Sequence, residues 1–151
     1  MKRAYVGLCL SLVAVDQAIK ALIRQSANSS LLFEIPHVAS IVHRTNTGAA
    51  FSLFAGRTAL ITLISVALMA LLLWLFLRIM RISREGKLAL AVLTGGGIGN
   101  LIDRVLLGSV TDYIRLSFID FPVFNLADIL ITVSIGALLL LILMGRLEEK
   151  G

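Results

Sequence analysis

Two aspartates in the second half of the chain have the residue type and the surroundings for acid/base chemistry. Asp128 lies among apolar residues and has no Lys or Arg near it in sequence. Because an ionised carboxyl is costly in such surroundings, Asp128 suits one half of an acid/base pair. Asp112 is the best candidate for the other half, since the chain between the two is too short to place them on opposite sides of a bilayer. We interpret Asp120 as a solvated surface carboxylate.

Other ionisable residues also lie in apolar segments, where each costs free energy and marks a possible site. Asp16 and Lys20 stand four residues apart and share a helix face, which predicts either a structural ion pair or a role at the site. Asn100, Asp103 and Arg104 share another face. We expect Asp103 and Arg104 to anchor their helix by internal pairing and hydrogen bonds, with contact to substrate as the alternative.

Other catalytic chemistries fit the sequence less well. A serine mechanism would need a hydroxyl near His37 or His43, but the chain has no G-x-S-x-G motif, and an H-E-x-x-H zinc motif is also absent. Cys9 is the only cysteine, which excludes an intrachain disulfide and a Cys-rich metal site. The glycines of segment 95–99 lack the Lys-Ser/Thr that follows a phosphate loop, so close helix packing is the better interpretation.

The elements that must position these residues are membrane helices. The 151 residues are 58% hydrophobic and 15% charged, with a mean hydropathy of +0.97, and a soluble domain of this size cannot bury so much apolar surface. A membrane helix needs about 20 mostly apolar residues. Four segments meet that length, and we predict one domain over 1–151 with helices at about 4–24, 58–78, 87–107 and 124–145.

Basic residues set the orientation of these helices. The net charge is +5, but the Lys and Arg residues form no basic stripe with interleaved aromatics, which argues against a nucleic-acid partner. They cluster at both chain ends and between the second and third helices, whereas the interiors of the two long loops contain Arg44 and Arg115, with Arg57 next to the start of the second helix. Both termini are therefore expected in the cytoplasm, with loops of about 25–57 and 107–124 outside.

The two ends of the first helix carry further signals. Lys2 and Arg3 precede an apolar run and imitate a secretory signal, but no A-x-A-like cleavage site follows and Leu8 precedes Cys9, so we keep this segment as a membrane helix. The first outer loop then contains alternating or β-branched stretches. These predict a small sheet lying on the membrane.

Five local strings resemble a known family. They are Asp16-Gln17-Ala18-Ile19-Lys20, Asn46-Thr47-Gly48-Ala49-Ala50-Phe51-Ser52, Gly99-Asn100-Leu101-Ile102-Asp103-Arg104, Val110-Thr111-Asp112-Tyr113 and Phe124-Asn125-Leu126-Ala127-Asp128. Together, and in this order over nearly the whole chain, they resemble lipoprotein signal peptidase, also called signal peptidase II. The resemblance implies an all-α membrane protein, a four-transmembrane-helix bundle with a small extracytoplasmic β-cradle.

The same resemblance implies roles for individual residues. Asp112 and Asp128 match the two catalytic aspartates. Matches to positions that bind substrate or shape the site are Asp16, Lys20, Asn46, Gly48, Asn100, Asp103, Arg104, Asn125 and Ala127. Departures are Ile129 where a small polar residue is expected, and Thr111 and Tyr113 in place of a commoner Val and Phe. They bear on tuning of the site and leave the aspartate pair intact.

The implied activity is that of a membrane-embedded aspartyl endopeptidase. It would remove the signal peptide from diacylglyceryl-modified bacterial prolipoproteins by cutting before the lipidated cysteine, without a metal or other cofactor. The expected partners are this lipid-modified substrate and membrane phospholipid, and the expected protein is a monomer in the bacterial cytoplasmic (inner) membrane with its active site near the outer leaflet.

Two other classes of function remain open at this stage. A small proton-coupled transporter or channel also uses buried carboxylates, but it would favour midplane carboxylates and an inverted repeat, and the sequence indicates neither. A non-catalytic assembly factor would leave the energetic cost of Asp128 unexplained.

Overall fold

The computed structural model describes residues 2–26, 31–48, 58–78 and 82–147. In chain order its elements are α1 (Lys2–Gln25), β1 (Leu31–Ile35), β2 (Ala39–Asn46), α2 (Thr58–Arg78), α3 (Arg84–Leu107), β3 (Val110–Leu116) and α4 (Leu126–Leu143). The predicted fold class is confirmed: the protein is a four-helix membrane bundle with a small antiparallel sheet.

The helices have the length and the surface of membrane helices. Among the described residues, α1, α3 and α4 are long and apolar enough to cross a bilayer. The apolar stretch described in α2 is shorter, Ala59–Leu72, but the helix continues to Arg78, and its 21 residues rise about 32 Å at ~1.5 Å per residue. Large apolar side chains such as Leu139 and Leu143 of α4 face outward, as lipid contact requires.

The third helix lies at the centre of the bundle, where it packs against α1, α2 and α4. Its glycines make these approaches possible. A Cβ on Gly95 would meet α1, one on Gly97 would meet Met69 of α2, and one on Gly96 would lie 2.7 Å from the carbonyl oxygen of Ala127 in α4. The interpretation of segment 95–99 as a packing surface is confirmed.

The sheet has the strand order β1-β2-β3, with both pairs antiparallel. The first two strands confirm the sheet predicted in the first outer loop. The third strand was not predicted: it lies in the segment interpreted as the second outer loop and carries Asp112 opposite Arg44. Phe124 forms an isolated bridge with Ile114, which ties the approach to α4 onto the sheet.

Two helix boundaries differ from the predicted ones for reasons of capping. The third helix begins at Arg84, three residues early, because the side chain of Ser83 accepts a hydrogen bond from the Gly86 N–H and caps it. The fourth begins at Leu126 rather than 124, because Asn125 is its N-cap. Asp128 therefore lies within the first turn of α4.

Candidate active site

Asp112 and Asp128 line the same cavity, which has a volume of about 710 Å³. The first aspartate comes from β3 and the second from the first turn of α4, so the cavity lies where the sheet meets the end of the bundle. Two cations, Arg44 and Arg104, line it as well, and its remaining wall is largely apolar. Asp120 is exposed, as predicted.

Asp112 is nearly inaccessible, with 3% of its surface exposed. One carboxylate oxygen accepts a hydrogen bond of 2.8 Å from Asn46 Nδ2, and the other accepts one of 2.7 Å from Asn125 Nδ2. Burial raises the pKa of Asp112 to about 6; the two amide hydrogen bonds and Lys20 oppose this, and the negative charge of Asp128 adds to it. A carboxyl of this kind can hold a proton near neutral pH.

Asp128 is placed by the capping of α4. Its Oδ2 accepts a hydrogen bond of 3.1 Å from the Asn125 backbone N–H, while its own N–H donates to Asn125 Oδ1 at 3.0 Å, a reciprocal capping box. Its Oδ1 accepts a bond of 2.8 Å from Asn100 Nδ2 in α3. The first turn of a helix favours negative charge, so this position suits the ionised member of a pair.

Two asparagines connect the carboxylates to each other. Asn125 Nδ2, which donates to Asp112, also donates to Asn100 Oδ1 at 3.2 Å, and Asn100 in turn donates to Asp128. Lys20 Nζ donates to the same Asn100 oxygen at 2.9 Å. Because an ammonium group only donates, Lys20 fixes which end of the Asn100 amide faces Asp128.

The ion pairs beneath this network differ in part from those expected. Asp16 and Lys20 are fully buried and paired at 2.9 Å, which confirms the structural ion pair. Asp16 also accepts a hydrogen bond of 3.2 Å from the Ala127 N–H of α4, and a role at the site stays a prediction. The expected Asp103–Arg104 pairing is wrong. Asp103 instead pairs with Lys20 at 3.7 Å and with Arg24 at 3.5 Å.

Arg104 turns toward the cavity instead of toward Asp103. Its Nη1 makes a long hydrogen bond of 3.4 Å to the Asn100 carbonyl oxygen, and among the described residues it forms no salt bridge. The i, i+3, i+4 spacing correctly predicted that Arg104 lies on the same helix face as Asn100. Spacing within α3 could not predict which residues of α1 would pair with Asp103.

The β2 end of the site is set by a turn. Asn46 Oδ1 accepts a hydrogen bond of 2.9 Å from the N–H of Gly48, which leaves the Asn46 Nδ2 directed at Asp112. Gly48 is buried. The rest of this motif, Ala49 to Ser52, lies outside the described residues.

Sequence reasoning missed four residues that support the site. Gln17 donates to the Gly99 carbonyl at 3.0 Å and to Asp103 at 3.2 Å, and Arg24 donates to Thr111 Oγ1 at 3.1 Å. Tyr113, treated only as a departure from the family pattern, accepts a hydrogen bond from α4. The spacing of Asp16, Lys20 and Arg24 was a usable signal, because residues at i, i+4 and i+8 share one helix face.

The fold and the site together define a class: a small helical membrane protein with two hydrogen-bonded carboxylates, Asp112 buried and Asp128 half-buried, in a cavity at one end of its bundle. Comparison with known proteins gives the family. The family model described as signal peptidase (SPase) II matches residues 8–144. The chain therefore belongs to the signal peptidase II family and is a peptidase.

Named relatives and solved structures agree with this assignment. The chain is similar to the lipoprotein signal peptidase of Streptococcus thermophilus, 36% identical over 94% of this chain and 92% of the relative. It is also similar to that of Dehalococcoides mccartyi, 41% identical over 88% of this chain and 84% of the relative.

Two solved structures described as bacterial membrane enzymes share the fold. One, at 2.3 Å resolution, has a TM-score of 0.87 and 27% identity over 98% of this chain and 94% of its own. The other, at 1.9 Å resolution, has a TM-score of 0.83 and 28% identity over 93% of this chain and 92% of its own.

Proposed function

We propose that this protein is an aspartyl endopeptidase that removes the signal peptide from diacylglyceryl-modified bacterial prolipoproteins, cutting before the lipidated cysteine. The whole chain, 1–151, acts as one peptidase domain. The observation that carries the proposal is that Asp112 and Asp128 line one cavity and are joined through Asn100 and Asn125.

The pair works with one shared proton. Asp112 holds it, because burial favours its neutral form, and Asp128, at the start of α4, acts as the base. Asp128 takes a proton from a water as the water oxygen attacks the scissile carbonyl carbon, and Asp112 donates its proton to the carbonyl oxygen. When the tetrahedral intermediate collapses, the C–N bond breaks, the leaving amine takes the proton held by Asp128, and Asp112 recovers its own.

The neighbouring residues serve the same reaction. Asn46, Asn100 and Asn125 hold the carboxylates by amide N–H groups, which cannot take a proton from them. Lys20 holds Asn100, and Asp16 holds the start of α4. Asp103 pairs with Lys20 and accepts a hydrogen bond from the Thr111 N–H of β3. Arg104, at the cavity surface, binds the peptide backbone beside the dyad.

The cavity suits a substrate that is partly peptide and partly lipid. Ile129 and Val133 of α4 line it below the dyad, and both side chains are exposed on a helix that faces lipid. The acyl chains of the modified cysteine can therefore stay in the bilayer while the peptide bond reaches the carboxylates. Ile129, a departure from the family pattern, extends this apolar wall.

The membrane arrangement follows from charge. Basic residues at both chain ends and between α2 and α3 favour a cytoplasmic location for the termini, which supports a dyad near the outer leaflet of the bacterial cytoplasmic membrane. The protein acts there as a monomer on its lipid-modified substrate, surrounded by phospholipid.

The test is cleavage in proteoliposomes that contain only this protein. A diacylglyceryl-modified prolipoprotein should be cut to a product whose N-terminal residue is the lipidated cysteine, as read by mass spectrometry. The matched control is the same precursor without the lipid, which should be cut far more slowly. No cleavage of the modified precursor by well-folded protein would refute the proposal.

A further inference from the structure

The hydroxyl of Tyr113 makes a contact that the dyad mechanism does not use. It accepts a hydrogen bond of 3.1 Å from the backbone N–H of Leu126, the first residue of α4. Tyr113 is 5% exposed, and burial raises its pKa to about 12. The hydroxyl is therefore protonated throughout the pH range of any assay and acts as a fixed, neutral acceptor.

This contact is one of three that occupy the first N–H groups of α4. A helix leaves these groups without partners from its own backbone. Here the N–H of Ala127 donates to Asp16 of α1, and the N–H of Asp128 donates to its own cap, Asn125. Of the three acceptors, Tyr113 alone belongs to the strand that carries Asp112.

The alternation of side chains along β3 explains how one strand carries both a cavity aspartate and a tyrosine that contacts α4. Successive side chains of a strand point to opposite faces, so Asp112 faces the cavity while its neighbour Tyr113 faces the helices. The backbone N–H groups of Tyr113 and Ile114 also donate to the Phe124 carbonyl, at 3.0 and 2.8 Å. These backbone bonds stop before the cap of α4. The cap itself is joined to β3 by the bond from Asn125 Nδ2 to Asp112, and the Tyr113 hydroxyl extends the connection to the first residue of the helix.

We propose that Tyr113 is a positioning residue whose hydroxyl sets the start of α4 against β3 and so fixes the spacing of Asp112 and Asp128. This inference rests on the proposed function. Tyr113 contacts neither carboxylate. It acts through Leu126, which lies two residues before Asp128 in α4. A phenylalanine at this position would fill the same space and leave the Leu126 N–H without its acceptor.

The test compares Tyr113→Phe with Tyr5→Phe, the same change at the other tyrosine of the chain. Tyr5 lies near the start of α1, far along the helix from the residues of α1 that support the site. For Tyr113→Phe we expect kcat about fivefold lower with KM within about twofold, since loss of one buried hydrogen bond is a modest effect. The two limbs of the kcat pH profile should move closer together, because a looser pair of carboxylates repels less. A purely structural loss of folded enzyme would lower the rate without moving either limb.

A second measurement does not depend on activity. Labelling Asn with ¹³C at the carbonyl and Leu with ¹⁵N isolates the NMR signals of the two leucine amides that directly follow an asparagine. These are Leu126 and, within α3, Leu101. In Tyr113→Phe the Leu126 amide should exchange with solvent at least about tenfold faster, while Leu101 stays protected as an internal reference.

Two results would overturn the inference. One is a Leu126 amide as protected in Tyr113→Phe as in the parent. The other is faster exchange at Leu126 with kcat and its pH limbs unchanged, which would show that the contact exists but does not position the dyad. Failure of the proposed function is distinguishable, since the parent and Tyr5→Phe would then not cleave either.

Discussion

At the scale of single residues, the carboxylates are distinguished by what donates to them. Within the described part of the chain, each of the four carboxylate oxygens of Asp112 and Asp128 accepts one hydrogen bond, and every donor is an amide N–H. Amides orient a carboxylate without taking its proton, so each oxygen keeps a lone pair for water or substrate. The positions of the two carboxylates are thus fixed by hydrogen bonds, while each carboxylate can still gain or lose a proton.

Replacement of either aspartate by asparagine should abolish most turnover. Asp112→Asn and Asp128→Asn are nearly isosteric, so each variant should fold and insert, but neither can pass the shared proton. The double variant should lose little more than either single one, because residues that act as a unit are strongly non-additive. Binding of the modified prolipoprotein should survive, since a neutral side chain relieves the cost of a charge in an apolar site.

The measurement is cleavage by purified protein together with a binding assay on the same samples. Asp120→Asn is the matched control, because Asp120 is exposed in the same loop region. Cleavage near the parent level by Asp112→Asn or by Asp128→Asn would rule out the aspartyl mechanism.

The pKa of Asp112 predicts how activity depends on pH. Burial, and to a lesser extent the negative charge of Asp128, raises the pKa of Asp112 to about 6, so the proton that we assign to Asp112 is lost near this pH. The profile of kcat/KM, which reports the free enzyme, should therefore fall as pH rises through about 6. The kcat profile should fall at higher pH, because bound substrate removes water from the cavity. A kcat/KM profile that is flat between pH 5 and pH 8 would contradict this assignment.

The same shift predicts a dependence of stability on pH. The folded-state pKa of Asp112, about 6, lies above its ordinary value of 3.8, so its contribution to stability is fully present below about 3.8 and is lost as pH rises through about 6. Asp112→Asn lacks this loss, and the difference in melting temperature between the variant and the parent should grow in the variant's favour from pH 5 to pH 8. Asp120→Asn should show no such trend.

At the scale of elements, the site depends on how closely α4 approaches α3. Gly96 lies under the first turn of α4, where an added Cβ would be 2.7 Å from the Ala127 carbonyl oxygen. Backbone cannot move aside as a flexible side chain can. The distance between the two helices therefore controls whether Asn100 reaches Asp128.

Gly96→Ala should accordingly destabilise the protein by roughly 1 to 3 kcal/mol, the usual cost of overpacking, and lower kcat as well. The matched control is Gly136→Ala in α4, where an added Cβ meets none of the described residues within 4 Å and helix propensity improves. Thermal unfolding and cleavage of both variants give the comparison. Equal stability of the two would mean that α4 is free to shift and is not fixed against α3.

At the scale of the whole molecule, the proposed orientation rests on charge at the helix ends. Reporter fusions after α4 and between α2 and α3 should give cytoplasmic signals, and a fusion at Asp120 should give an external one. Phe118, Ile119 and Phe121, exposed beside Asp120, are expected to contact the outer lipid interface. A cytoplasmic signal from the Asp120 fusion would contradict the proposed topology.

The sequence by itself determined the membrane character, the four helices and the two aspartates to examine. These follow from the length of apolar segments and from the cost of placing a charge in them, and both are local properties that need no knowledge of the fold. The glycines of segment 95–99 were recognisable in the same way, because small residues in an apolar helix have few other uses.

Only the tertiary structure decided which residues meet. Asp103 pairs with Lys20 and Arg24, not with its neighbour Arg104, because α1 presents two cations to the face of α3 that carries it. The strand β3 pairs with β2, which is distant in sequence, and it directs Asp112 into the cavity and Tyr113 toward α4. Partners of buried polar groups are chosen by packing between elements distant in sequence, and helix periodicity carries no information about them.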